Sequence, residues 1–123
     1  MRVHAPLIAE SRRPGQFVIV QEDTDFGERI PLTIADADEA AGTIELIFQA
    51  VGNSTRRLAL REEGDTIENV LGPLGRPTHI EYVGTAVCVG GGIGVAPLHP
   101  IAQALKRAGN RVIVIIGART HSL

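Results

Sequence analysis

The residues best suited to binding chemistry form a glycine-rich turn in the last third of the chain. It comprises Gly90, Gly91, Gly92 and Gly94. An apolar run at residues 86–89 precedes the turn, and a helix-like pattern follows it from Pro97. Glycines between a strand and a helix let backbone N–H groups and the positive end of the helix dipole approach an anion. The turn therefore predicts a diphosphate-binding site, although a tight strand–helix connection without a ligand has the same sequence pattern.

The elements around this turn read as a βαβ unit. Residues 86–89 have the uninterrupted apolar character of a strand that is buried on both faces. Beyond Pro97, which suits a first helical turn, apolar residues recur at the spacing of one helix face: Leu98, Ile101, Ala102 and Leu105. Residues 108–110, Ala-Gly-Asn, predict the end of this helix, and residues 111–116 predict a second strand.

Two departures from the dinucleotide fingerprint accompany the turn. Its third glycine is replaced by Val95, or by Pro97 in a shifted frame. The acidic ribose ligand expected after the second strand is also missing, and the chain there reads Gly-Ala-Arg-Thr at residues 117–120. Arg119 and the neighbouring hydroxyl suit a phosphate better than a ribose diol, whereas a surface arginine without a ligand is the simpler interpretation.

The first two thirds of the chain predict a small antiparallel barrel. Strands are expected at residues 17–20, 29–35, 43–49 and 66–71, with weaker alternation over 1–13. Turns are expected at 14–15, 22–28, 36–42, 62–65 and 72–75, and residues 79–84 form a linker. Pro31 indicates a strand start, a bulge or an edge. A short helix is expected at residues 56–61, with Ser54 or Thr55 as its N-cap.

Composition argues against several classes of function. The chain has 123 residues, 44% hydrophobic and 3% aromatic, and a formal net charge of −2, so a nucleic-acid partner is not expected. No segment is long and apolar enough to span a membrane. The single cysteine, Cys88, is expected to be a buried core thiol rather than a redox group. No metal site is expected, since His4, His79, His99 and His121 are scattered. A cytoplasmic location follows as the expectation.

Several stretches together resemble the ferredoxin–NADP reductase superfamily. In chain order they are Pro14-Gly15-Gln16-Phe17, Arg29-Ile30-Pro31-Leu32-Thr33, Gly52-Asn53-Ser54-Thr55 and Gly90-Gly91-Gly92-Ile93-Gly94-Val95-Ala96-Pro97. Within that superfamily they look like the branch of the dihydroorotate dehydrogenase electron-transfer subunits. The flavoprotein subunits of sulfide dehydrogenase and NADH-dependent ferredoxin:NADP oxidoreductase belong to the same branch. The likeness runs from about Arg2 onward, and residues 72–75 and 117–120 also fit it.

The resemblance implies a two-part architecture. Residues 1–80 would form an antiparallel FAD-binding barrel that lacks its first strand, and residues 81–123 would begin a Rossmann-like NAD(P)-binding domain. The rest of that domain, with the cysteine cluster for a [2Fe–2S] centre, would be absent from this chain. An incomplete barrel leaves an unpaired strand edge, and a two-stranded parallel sheet is not expected to be stable alone.

The resemblance also implies roles for individual residues. Arg29 would neutralise an FAD phosphate, Pro31 would line the flavin, and Leu32 would contact the isoalloxazine ring. Thr33, the single catalytic candidate, would donate a hydrogen bond near flavin N5. The flavin pyrophosphate would contact Gly52, Asn53, Ser54 and Thr55. The nicotinamide nucleotide would contact Gly90, Gly91, Gly92, Gly94, Pro97 and Arg119. The arginine lies one position earlier than in the plant-type motif, which leaves its phosphate partner open.

The function so implied is an FAD-dependent oxidoreductase subunit. It would transfer a hydride between NAD(P)H and FAD and pass electrons to an iron–sulfur partner subunit or a ferredoxin. A non-catalytic module that docks a partner and keeps a vestigial nucleotide site is the alternative. A nucleotide-binding α/β protein of another family is a third possibility, but it leaves residues 29–33 and 52–55 unexplained.

Overall fold

The computed structural model describes residues 1–21, 28–67 and 69–118. In chain order, the strands and helices are β1 (Arg2–His4), α1 (Pro6–Ser11), β2 (Phe17–Gln21), β3 (Ile30–Asp38), β4 (Thr43–Leu46), α2 (Asn53–Ala59), β5 (Asn69–Leu74), β6 (Thr85–Gly91), α3 (Val95–Arg107) and β7 (Arg111–Gly117). A 3₁₀ turn, Gly92–Gly94, joins β6 to α3.

The first five strands form one curled antiparallel sheet, a half-barrel. Its strand order is β1-β4-β3-β2-β5, and every pairing is antiparallel. Its concave side holds the core, in which the most completely buried side chains are Val18, Val20, Ile34, Ile44, Leu46 and Leu58. The antiparallel architecture predicted from the sequence is confirmed. The expected open edge is also found, because β1 and β5 each have one strand neighbour among the described residues.

The weak strand predicted over residues 1–13 is largely wrong. Only Arg2–His4 is extended, and α1 follows it with Pro6 at the start of the helix. Ile8 and Ala9 are both buried although they are adjacent in the sequence, which a half-buried strand does not allow. Proline at a first helical turn loses no hydrogen bond, so Pro6 favours this helix.

The ends of β3 and β4 differ from the prediction. β3 continues to Asp38, so the polar turn predicted at 36–42 shrinks to residues 39–42. The two aspartates extend the strand because Asp36 pairs with Glu45, and Asp38 with Thr43, across the sheet. β4 ends at Leu46, short of the predicted residue 49. Pro31 lies at the start of β3, one of the three positions predicted for it.

The loop predicted at residues 72–75 is mostly strand. β5 covers Asn69–Leu74 instead of residues 66–71, and Leu74 pairs with Phe17 across a register shift in β2. A Cβ atom on Gly72 would lie 2.8 Å from Cγ1 of Val18. Glycine at this position therefore allows β5 to lie close to β2. Glycine usually indicates a loop, but here it permits close packing of two strands.

The predicted βαβ unit is confirmed. β6 and β7 are parallel, from Thr85 opposite Arg111 to Gly91 opposite Gly117, and α3 connects them. The expectation that β6 is buried on both faces is wrong, since Val87 and Val89 are 58% and 68% exposed. Helix α3 lies on the face that carries the buried thiol of Cys88, and no described element covers the other face.

Helix α3 also packs against β3, which joins the βαβ unit to the half-barrel. Within the described ranges, no helix is long and apolar enough to cross a membrane. The same part of the chain holds no cluster of three or more histidine, cysteine, aspartate or glutamate side chains that could bind a metal ion.

Candidate functional site

The face of β3 that points away from the core carries two of the predicted flavin contacts, and a third lies just before the strand. Leu32 is 7% exposed and belongs to the core cluster. Because side chains alternate along a strand, Pro31 and Thr33 lie on the opposite, outer face, and Arg29 is exposed just before the strand. The side chain of Leu32 thus has little surface to offer a flavin ring. The contact of Leu32 with the isoalloxazine ring stays a prediction, as does the lining role of Pro31, which is exposed on the outer face.

Contacts between α3 and β3 bring the glycine turn to this outer face. Ala35 on β3 is 2% exposed, and Ala96 and Pro100 on α3 are equally buried, as small residues at a close strand–helix contact should be. His99 adds a polar contact, with its Nε2 atom 3.8 Å from Oδ2 of Asp36. The turn immediately precedes α3, so it lies close to the half of β3 that contacts the helix.

A second polar contact ties α1 to the same carboxylate. Nη2 of Arg12 lies 3.8 Å from Oδ1 of Asp36, and the Arg12 side chain is only 12% exposed. Asp36 therefore lies between a guanidinium from the end of α1 and an imidazole from α3. These long contacts help to fix how α3 sits on the half-barrel. The sequence contains no pattern that pairs these three residues.

The glycines of the turn have two different roles. A Cβ atom on Gly90 would lie 2.8 Å from Cδ2 of Leu98, so Gly90 allows α3 to pack closely on β6. A Cβ on Gly92 or Gly94 would meet no described atom within 4 Å. Gly92 has a φ of +55°, a conformation that favours glycine. On Gly91 a Cβ would approach only the backbone oxygen of Gly117, at 3.9 Å.

The open space beside Gly91, Gly92 and Gly94 is a cradle that side chains would fill. Packing within the chain explains Gly90, whereas it does not explain the absence of side chains at the other three positions. Pro97, the remaining predicted contact of this turn, is half-buried in the first turn of α3. Arg119, predicted to bind phosphate, lies outside the described residues.

The second predicted phosphate site is the start of α2. Its N-cap is Gly52, so the prediction that Ser54 or Thr55 caps the helix is wrong. Thr55 lies three residues into the helix, and its Oγ1 accepts hydrogen bonds from the backbone N–H groups of Gly52 at 3.0 Å and Val51 at 3.1 Å. The same hydroxyl donates to the carbonyl oxygen of Gly52 at 3.1 Å. The Thr55 hydroxyl therefore stabilises the turn at residues 51–55, which includes Asn53 and Ser54.

Replacing Thr55 by valine removes this hydroxyl and keeps the shape of the side chain. We expect the Thr55→Val change to lower the free energy of unfolding by about 1 kcal/mol, the usual effect of losing a helix cap. Thr55→Ser keeps the hydroxyl and should cost less. Urea unfolding followed by circular dichroism measures both. A larger loss in Thr55→Ser than in Thr55→Val would show that the methyl group, rather than the hydroxyl, stabilises the turn.

The three groups of predicted ligands do not all meet. The α3–β3 contact brings Pro31 and Thr33 towards the glycine turn. Helix α2 instead packs through Leu58 into the core, and it has no extensive contact with α3 or with the turn among the described residues. In the part of the chain that the structure describes, helix α2 has no extensive contact with β3 either, so a ligand that touches both groups predicted for FAD has to be extended, as a dinucleotide is.

The sequence did not identify the structural role of Asn110. The sequence predicts Asn110 only as part of a helix stop, but the residue is 6% exposed and its side chain is fully hydrogen-bonded. Its Oδ1 accepts from the N–H groups of Val83 at 2.7 Å and Gly84 at 3.0 Å, and its Nδ2 donates to the carbonyls of Glu81 and Leu105, both at 2.9 Å. Asn110 thus fixes the entry to β6 against the end of α3. The sequence signal that could have indicated this role is an asparagine directly after the glycine that ends the helix, Gly109.

Comparison with known proteins gives relatives over nearly the whole chain. A Thermotoga maritima protein named as a homolog of the dihydroorotate dehydrogenase B (NAD(+)) electron transfer subunit is 48% identical over 118 residues, 96% of this chain and 42% of the relative. The electron transfer subunit of dihydroorotate dehydrogenase B (NAD(+)) from Lysinibacillus sphaericus is 36% identical over 128 residues, 100% of this chain and 49% of the relative. No protein-family model matches the chain.

Solved structures give the same picture. The structure of an NADH-dependent reduced ferredoxin-NADP oxidoreductase, described for flavin-based electron bifurcation, matches with a TM-score of 0.93 and 48% identity, over 97% of this chain and 43% of that one. The ferredoxin reductase of carbazole 1,9a-dioxygenase matches with a TM-score of 0.68 and 25% identity, over 90% of this chain and 35% of that one. The chain spans less than half the length of each of these four proteins.

Proposed function

Because this chain belongs to the ferredoxin–NADP reductase superfamily, we propose that it forms the flavin-binding part of an electron-transfer subunit. Residues 1–80 are the FAD-binding half-barrel, and residues 81–123 begin the NAD(P)-binding domain. The subunit transfers a hydride between NAD(P)H and FAD and passes electrons to an iron–sulfur protein, a ferredoxin or a partner subunit. Relatives that are named as electron transfer subunits support this proposal.

The observation that carries the proposal is the position of the glycine turn relative to the outer face of β3. Pro31 and Thr33 lie on that face, and α3 packs against the same strand directly after the turn. Hydride transfer requires two ring systems held in contact, and it requires no acid or base from the protein. A ring supported by β3 and a nucleotide held at the turn meet this requirement.

The residues of the chain fit both nucleotides. Arg29 is an exposed cation just before β3, where it can neutralise a flavin phosphate. The cradle beside Gly91, Gly92 and Gly94 leaves room for a pyrophosphate close to the backbone. Bound FAD would supply the hydride acceptance and the stepwise release of electrons. Thr33 would orient the ring edge, and Thr55 would keep the start of α2 in place for the flavin pyrophosphate.

Other parts of the assignment rest on the sequence and on the relatives. The cysteines of a [2Fe–2S] centre are not among these 123 residues, so the proposal assigns no residue of this chain to an iron–sulfur group. The single cysteine suits a reducing compartment, and we place the protein in the cytoplasm. Phosphate binding by Arg119 would favour NADPH over NADH.

The proposal predicts that the purified chain takes up FAD and that Arg29 contributes to its affinity. We expect Arg29→Ala to weaken FAD binding roughly tenfold, as the loss of one charge-assisted hydrogen bond does. Arg107→Ala, at the exposed end of α3, should leave the affinity unchanged. Quenching of flavin fluorescence measures both dissociation constants. Bleaching of the flavin absorption under anaerobic NADH or NADPH tests hydride transfer.

Failure of the chain to bind either FAD or FMN would contradict the proposal. A folded, colourless protein that takes up no added flavin would support the alternative function, a partner-docking module with a vestigial nucleotide site. Circular dichroism of the same sample confirms that the chain is folded, so that a negative result is informative. Equal loss of affinity in Arg29→Ala and Arg107→Ala would show that only general positive charge matters.

A further inference from the structure

A β-bulge in β3 turns two neighbouring side chains towards helix α3. Ile34 pairs with Leu46 of β4. The residue before Leu46, Glu45, pairs with Asp36, so Ala35 is an extra residue without a partner on β4. In a regular strand Asp36 would share the core face of Ile34. The extra residue instead puts Asp36 on the outer face beside the buried Ala35, so the bulge presents a carboxylate to α3.

The Asp36 carboxylate connects the half-barrel with the βαβ unit. Its Oδ1 lies 3.8 Å from Nη2 of Arg12, at the end of α1, and its Oδ2 lies 3.8 Å from Nε2 of His99 on α3. The Arg12 side chain is mostly buried, so water screens this charge pair less than a pair on the open surface. Oδ1 also accepts a hydrogen bond from the N–H of Ala37 at 2.9 Å. The half-barrel thus fixes the direction of the carboxylate that His99 meets.

The contact between Asp36 and His99 lies near both predicted ligand sites. His99 follows Gly94, the last residue of the glycine turn, by five positions, which is about 7.5 Å along a helix. Thr33 precedes Asp36 by three positions on β3, a distance of roughly 10 Å. A tilt of α3 by about 10° around His99 would therefore move the turn by about 1 Å relative to β3. A displacement of about 1 Å between reacting groups can slow a reaction about a hundredfold.

On the basis of the function proposed above, we propose that Asp36 is a positioning residue for hydride transfer and acts through His99. Held by Arg12, Asp36 sets the tilt of α3 on β3. This tilt sets the distance between a ring beside Thr33 and a nucleotide at the glycine turn. Because a partly exposed ion pair contributes little to stability, losing the Asp36 charge changes where α3 sits more than how firmly the chain folds.

The first measurement follows the position of α3 and needs no ligand. Nitroxide labels are attached to the whole chain through Glu39→Cys, on the exposed turn after β3, and Lys106→Cys, at the exposed end of α3, in a Cys88→Ala background. Pulsed electron paramagnetic resonance gives the distance between the labels. Asp36→Asn should shift or broaden the distance distribution by about 2 Å, since Lys106 lies about 10 Å beyond His99 along the helix.

Asp38→Asn is the matched control. It makes the same change two residues later on the same strand, where Asp38 is exposed and its Oδ1 accepts from the N–H of Ala41 in the following turn at 3.1 Å. Asparagine keeps that acceptor, as it keeps the one that Asp36 offers to Ala37. Both variants are therefore expected to fold, and Asp38→Asn should leave the label distances unchanged.

The second measurement tests whether Asp36 acts through His99. It is made at about pH 6, where histidine in general is mostly protonated and is attracted by a carboxylate. Asp36→Asn and His99→Gln should each lower the rate of flavin bleaching at saturating NADH or NADPH about five- to tenfold and leave the FAD dissociation constant unchanged. The double variant should be no slower than the slower single variant, whereas independent effects would multiply.

Three results would overturn the proposal. The label distances could stay the same in Asp36→Asn, the double variant could show the product of the two single effects, or Asp38→Asn could slow bleaching as much as Asp36→Asn. A parent chain that takes up no flavin, or whose flavin neither nucleotide bleaches, contradicts the proposed function instead. The label distances then still decide whether Asp36 orients α3.

Discussion

Leu58→Ala is expected to destabilise the chain by about 3 kcal/mol, since truncating a buried leucine costs roughly 2–5 kcal/mol. Leu58 is fully buried, and it is the residue through which α2 enters the core of the half-barrel. Its loss leaves a cavity in the core cluster that also contains Val18, Val20 and Leu46, and a well-packed core collapses only partly around such a cavity. Because α2 carries the predicted flavin pyrophosphate contacts, the same change should also weaken FAD binding.

Leu60→Ala is the matched control for this prediction. Leu60 follows the same helix two residues later, but its side chain is 78% exposed, so truncation should change stability by about 0.5 kcal/mol or less. Urea unfolding of the two variants and the parent chain measures the difference. If Leu58→Ala and Leu60→Ala lower the free energy of unfolding equally, α2 does not pack on the core as described.

Asn110→Ala is expected to cost about 2–4 kcal/mol, because it leaves four partly buried backbone groups without their Asn110 partners. The Asn110 side chain makes four hydrogen bonds of 2.7–3.0 Å to backbone atoms of the linker before β6 and of α3. Alanine replaces none of them. We expect local loosening as well, so that amide hydrogen exchange at Val83 and Gly84 becomes faster than at residues of the half-barrel core.

Asn69→Ala separates this effect from the general loss of an asparagine. The amide of Asn69 donates one exposed hydrogen bond, to Oε1 of Gln21 at 3.2 Å. Its removal should cost about 0.5 kcal/mol or less. Thermal and urea unfolding of both variants provide the comparison. Similar stabilities for Asn110→Ala and Asn69→Ala would mean that the Asn110 hydrogen bonds are replaced by water at little cost.

The two halves of the chain are joined by limited contacts. Helix α3 meets β3 through small residues and through the long polar contact of His99 with Asp36, whose other carboxylate oxygen lies near Arg12 of the half-barrel. Partly exposed ion pairs contribute little to stability, so the burial of Ala35 on β3 and of Ala96 and Pro100 on α3 is the stronger part of this contact. A nucleotide site that spans the contact between α3 and β3 therefore depends on the burial of these small residues.

The sequence by itself determined the local elements whose patterns are strong. The apolar run of β6, the helical spacing after Pro97 and the helix stop before Asn110 were enough to predict the βαβ unit, because periodicity and glycine placement act over a few residues. The series of short strands, among them the alternating pattern of β4, predicted the antiparallel sheet for the same reason. The resemblance carried by four ordered stretches predicted the fold, which the comparisons bear out.

Only the tertiary structure decided which face each residue occupies and what lies next to it. Leu32 follows Pro31 in the sequence, yet it faces the core while Pro31 faces outward, because the curl of the sheet selects one side of β3 for burial. Asp36 extends β3 because β4 pairs with it. Val87 and Val89 look like core residues but are exposed, since α3 covers only one face of β6. Burial and pairing depend on elements distant in the chain, and no local pattern encodes them.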